Sequence, residues 1–100
     1  MPWLILAEDS ENGPALRRDR ALMARMWAWE LSIKDRILAA GSLRGEDGQT
    51  PVGSLMILDV VTKDEALALF AADPATIAGM RGKTTIRFWN RAILDGVAVD

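Results

Sequence analysis

Cysteine and histidine are both missing from this chain of 100 residues. Without cysteine there are no disulfides, no thiol redox chemistry and no thiolate ligands. Without histidine there is no imidazole base, no charge switch near neutrality and none of the commonest metal ligand. A Ser-His-Asp triad is therefore excluded, and structural zinc or histidine-ligated haem lacks its donors. An excess of charge is also lacking: 12 basic and 14 acidic residues leave a net charge of −2. A nucleic-acid binder or a polybasic membrane contact needs a basic footprint, so neither partner is expected. The N-terminal apolar run Trp3–Ala7 has no basic flank and is too short for a signal peptide or a membrane span. Cytoplasm is the default expectation, with no metal and no cofactor. There is no internal repeat, linker or low-complexity segment, and the loop Gly45–Gly53 carries no P-loop pattern.

What is present is apolar. Half of the residues are hydrophobic, including four tryptophans and five methionines. That is a folding chain, read as one domain over residues 1–100 with a tail of undefined conformation from about residue 91. For so small a domain the surplus apolar surface points to an interface.

Trp3–Ala7 reads as a strand ending at the acidic stretch Glu8–Gly13. A helical segment follows, from Pro14 or Asp19 to about Asp35, because Leu22, Met26, Trp29 and Ile33 recur on one face. Glu30 and Lys34 stand at i, i+4 on another face, in the favourable order. A short strand at Ile37–Leu43 leads to a turn marked by Gly45, Gly48 and Pro51. The run Ser54–Val61 is the clearest strand. Thr62 and Glu65 form a capping box opening a helix through Ala72. Asp73-Pro74 starts a short helical turn closed near Gly79 or Gly82, and Thr84–Trp89 is the last strand.

The order β-α-β-β-α-β predicts an α+β, ferredoxin-like fold, an antiparallel sheet with both helices on one face. The open face of such a sheet is ordinarily polar. Here Leu4 and Leu6 alternate with Trp3 and Ile5. Leu55, Ile57 and Val61 likewise alternate with Met56, Leu58 and Val60. Both faces are apolar, and no element is left over to cover the second. A homodimer packed sheet against sheet is the expected partner arrangement.

These residues resemble the YciI-like family, of the dimeric α+β barrel group, over nearly the whole chain up to about Trp89. The resemblance rests on an arginine-rich start to the first helix, Ala40-Gly41 after a short strand, and Gly53-Ser54 opening the third strand. Its most specific part is Asp73-Pro74 followed by Ala78-Gly79. It implies a homodimer with a cleft between helices and sheet in each subunit. It also implies a histidine early in the first helix, paired with the Asp-Pro aspartate. Counting back from Gly41 puts that position at Ala24 or Met23, neither of which is histidine. Some members resemble dehydrochlorinases of chlorinated aromatics.

Asp73 is the first candidate for a chemical role. A carboxylate following an apolar helix faces the negative end of its dipole and needs compensation. It either caps the next turn, with Pro74 at the first helical position, or serves a pocket as a proton acceptor. Arg17, Arg18, Arg20 and Arg25 cluster where a helix does not favour positive charge, so a clamp on a carboxylate or phenolate competes with a solvated face. Arg17 or Arg20 matches the family's arginine. Ser42 and Ser54 are hydrogen-bonding candidates for a ligand, although a serine without a base is a weak nucleophile. Trp27 and Trp29 point to different sides of one helix, so one belongs to the core and the other to an interface or pocket rim. The expected function is binding of an aromatic or carboxylate-bearing small molecule in a cleft anchored by Asp73. The alternatives are a lyase or isomerase with Asp73 as lone general base, and a structural or regulatory dimer whose cleft is collapsed.

Overall fold

The computed structural model describes residues 2–99. Eight residues, Pro2–Asp9, form β1. Two helices follow in place of one, α1 (Gly13–Arg17) and α2 (Arg20–Ser32). Asp19 separates them because its side chain accepts from the Leu22 amide and caps α2. A 3-10 turn at Lys34–Arg36 leads into β2 (Ile37–Arg44), which a loop joins to β3 (Pro51–Asp59). Thr62 accepts from the Glu65 amide and caps α3 (Lys63–Ala71), as the capping pattern requires. A short α4 (Pro74–Ile77) and β4 (Arg81–Phe88) complete the main unit.

The four long strands make one antiparallel sheet in the order β2-β3-β1-β4, with Ile5 opposite both Met56 and Ile86. This is the ferredoxin-like arrangement. Val61, expected in the third strand, lies beyond its end and is exposed. The segment after Trp89 gains structure the sequence reading left undefined. β5 (Ile93–Leu94) and β6 (Val97–Ala98) form a small hairpin around Asp95-Gly96, both with positive φ. That pair suits a type I′ turn.

Strand alternation sends Ile5, Ala7, Met56 and Leu58 to the helix side. There they pack with Ile33, Val60, Ala66 and Phe70, joined by Trp3, Trp29, Ile37, Leu69 and Ile86. A second cluster, Leu22, Ala75 and Met80, sits between α2 and α4 with Leu16, Met23 and Met26 against it. The predicted helical face Leu22-Met26-Trp29-Ile33 is thus shared between two cores. On the opposite side of the sheet the same alternation leaves Leu4, Leu6, Leu43, Leu55 and Ile57, with Leu6 and Leu43 counted among the exposed large hydrophobics. No helix among the described residues is long and apolar enough to cross a membrane.

Candidate functional site

Because the two clusters do not merge, a cavity of about 270 Å³ remains between α2 and the sheet. Its apolar wall comes from Ile5, Met26, Met56 and Phe70, and its polar wall from Arg17, Glu30, Ser42, Arg44, Ser54 and Arg81. Three guanidinium groups and one carboxylate therefore face a space the size of a single substituted ring.

Each arginine is held differently. Arg17, the last residue of α1, donates from Nε and Nη2 to both carboxylate oxygens of Asp9 at 2.6 and 2.8 Å. Its Nη2 also reaches the Gly53 carbonyl at 3.1 Å and Ser54 Oγ at 3.5 Å. Gly13 permits this, since a Cβ there would lie 2.7 Å from the Asp9 side chain. Nη1 of Arg17 forms no hydrogen bond among the described residues. Arg44 donates from Nε to Ser42 Oγ and from Nη1 to the Gln49 carbonyl. No carboxylate ion-pairs with it among the described residues, and its Nη2 is unengaged.

Arg81 is the most constrained. It begins β4, where Ser10 fixes the preceding connection by donating from its amide to the Met80 carbonyl and from its hydroxyl to the Gly79 carbonyl. Its Nη2 meets Asp73 Oδ2 at 2.6 Å, its Nη1 meets Ser54 Oγ at 2.5 Å, and its Nε approaches Thr76 Oγ1 at 3.4 Å. The guanidinium also lies 5.4 Å from the Phe70 ring centroid, within cation–π range.

Asp73 is completely buried and stands behind Arg81, outside the cavity lining. Its Oδ1 accepts from the Ala75 amide and caps α4, while its Oδ2 takes Arg81 and the Thr76 hydroxyl. The compensation that its place after α3 demanded is a cap on one oxygen and a guanidinium on the other. Among the other sequence candidates, Arg17, Ser42 and Ser54 all line the cavity, whereas Arg20 is exposed at the start of α2 and does not. Arg18 and Arg25 are exposed as well.

Three lining groups escaped the sequence reading. Arg44 stands two residues beyond the candidate Ser42 on β2, and Arg81 stands eight residues after Asp73, a separation nothing in local periodicity flags. The i, i+4 spacing of the sequence sets Glu30 beside Lys34 on another face of the helix. In the structure it follows Met26 by one helical turn, lines the cavity and forms no ion pair with Lys34. Burial raises its pKa above the ordinary carboxylate value; Asp73 raises it further, and Arg81 opposes the shift.

The sequence model of the YCII-related domain matches residues 1–90. The chain belongs to this family. A solved structure similar to it is the 5-chloro-2-hydroxyhydroquinone dehydrochlorinase (TftG) from Burkholderia phenoliruptrix AC1100, in complex with 2,5-dihydroxybenzoquinone. The two are 26% identical with a TM-score of 0.78, over 90% of this chain and 94% of the other. A dimeric ferredoxin-like protein of unknown function from Bacteroides fragilis NCTC 9343 is 13% identical, with a TM-score of 0.38 over 86% and 90% of the two chains. No curated protein matches. Within this YCII-related domain the positions counted for a family histidine lie off the cavity: Ala24 is exposed, and Met23 packs with the second core cluster. Met26 and Glu30 are the α2 residues that reach it.

Proposed function

We propose that the cleft binds a single-ring aromatic molecule carrying anionic or carboxylate oxygens. The observation that supports this best is the pair of guanidinium nitrogens, Arg17 Nη1 and Arg44 Nη2, that no hydrogen bond among the described residues engages, on residues lining a cavity otherwise walled by Ile5, Met26, Met56 and Phe70. An aromatic body suits the apolar wall, and oxygens with negative charge suit the guanidiniums. The dihydroxyquinone bound by the B. phenoliruptrix dehydrochlorinase is of this class. In this reading Asp73 anchors the site indirectly, by holding Arg81. As a lone general base it is poorly supplied, since both of its oxygens are already hydrogen-bonded. The reading of a collapsed cleft has little support beside an open cavity of this volume. The apolar open face of the sheet supports assembly as a homodimer.

The test is calorimetric titration with 2,5-dihydroxybenzoquinone. The hydrogen bonds of Arg44 go to neutral groups, and Asp47, whose charge it favours from nearby, keeps its own hydrogen bonds from Gln49 and Thr50, so Arg44→Met removes a donor without stranding a buried carboxylate. The expected loss of affinity is about 10- to 100-fold, the worth of a charge-assisted hydrogen bond. Absence of binding by the unmodified protein at millimolar ligand, or unchanged affinity in Arg44→Met, would sink the proposal.

A further inference from the structure

We infer that Glu30 is the proton acceptor of this cleft, taking the hydrogen from a ring hydroxyl whose oxygen the arginines then hold as an anion. The inference rests on the binding proposal above and assigns the step that a chain without histidine otherwise lacks.

Glu30 is the one carboxylate lining the cavity among the described residues, and no hydrogen bond or ion pair there engages it. The other acidic groups of the site, Asp9 and Asp73, stand behind Arg17 and Arg81 and are consumed in holding them. Glu30 is half-buried on α2. The charged groups around it are Arg81 from β4, Asp73 from the start of α4, Arg17 from α1 and Arg44 from β2. Lys34 lies beyond it in a second groove that Glu30 also borders. Burial and Asp73 raise its proton affinity above that of an ordinary glutamate, the direction an acceptor working near neutrality requires.

The step balances within the site. The hydroxyl O–H bond breaks, its electron pair stays on the ring oxygen, and the proton adds to a Glu30 carboxylate oxygen. The site thereby exchanges a carboxylate for a phenolate. The guanidiniums face the phenolate, and no oxidant or further reactant is needed.

The probe is 4-nitrophenol, whose ionised form absorbs in the visible and whose neutral form does not. It is titrated at a pH where the free compound is mostly neutral, and protons exchanged with solvent are counted by calorimetry in buffers of different ionisation enthalpy. The unmodified protein should bind the coloured anion and release no proton. Glu30→Gln, which keeps the shape and removes the charge, should either release one proton for each anion bound or bind the neutral form. Thermal unfolding of the variant confirms that it folds. Binding of the coloured anion by both proteins with equal proton counts, or release of one proton by the unmodified protein, overturns the role of Glu30 and leaves the ligand proposal standing. No binding of either 4-nitrophenol or 2,5-dihydroxybenzoquinone overturns both.

Discussion

Asp73 and Arg81 illustrate how a buried ion pair is a liability unless both partners stay. The Asp73 side chain is wholly buried and that of Arg81 nearly so. Arg81→Met should therefore cost about 3–5 kcal/mol in urea unfolding, because it strands a buried carboxylate. Adding Asp73→Asn to it should recover part of that loss, since an amide left in the cap carries no charge. A double variant as unstable as the single one would count against the pair as the source. Glu30 makes the opposite case. Its folded pKa lies above the ordinary value, so the native state binds the proton more tightly than the unfolded chain does. Stability then declines as pH rises from the ordinary value through the raised one. Glu30→Gln should be more stable than the parent at neutral pH, by less than about 1 kcal/mol given solvent screening of a half-buried group. The two proteins should converge in acid, as thermal unfolding across pH would show.

At the scale of elements, the caps and turns carry readable instructions. Thr62 was legible because a hydroxyl three residues before a glutamate opens an apolar run, and Thr62→Ala should cost about 1 kcal/mol in chemical denaturation. In the loop after β2, Asp47 accepts from the Gln49 and Thr50 amides and from the Thr50 hydroxyl, which holds its pKa down at about 2. Its contribution is complete above the ordinary aspartate value of 3.8 and is lost as pH falls toward about 2. The amide resonances of Gln49 and Thr50 should move together over that acid range and stay fixed in Asp47→Asn. The strands and helices were legible because period and capping are local. Pro14 and Asp19 both signal a helix start in the sequence, and the structure uses both. The β5–β6 turn was missed although Asp95-Gly96 is a strong turn signal, since its flanking strands are only two residues each. Arg17, Ser42 and Ser54 were reached from residue type and family pattern. Arg81 and Glu30 were not, because what makes them matter is a contact across the fold or a change of face, which no local spacing encodes.

The whole molecule inherits one unresolved demand from its composition. Leu4, Leu6, Leu43, Leu55 and Ile57 share the sheet face away from the helices, where the described residues supply no covering layer of helix. Light scattering at micromolar concentration should give twice the chain mass of 11.0 kDa. Leu6→Lys, which sets a charge in the middle of that face, should shift the mass to a single chain while circular dichroism stays unchanged. A single-chain mass for the unmodified protein would remove the sheet face as an interface.

Ser54 carries a consequence for what the cleft selects. A hydroxyl has two lone pairs and one hydrogen. Arg81 at 2.5 Å and Arg17 at 3.5 Å both donate to this oxygen. With its lone pairs turned to the arginines, its hydrogen must point elsewhere, and the polar wall from Arg17 through Ser54 to Arg81 offers hydrogens only. Such a wall distinguishes molecules by wiring rather than by shape. A ring bearing a hydroxyl or carboxylate presents lone pairs to it, whereas the same ring bearing an ammonium group sets hydrogen against hydrogen along this wall and meets a carboxylate only across the cleft, at Glu30.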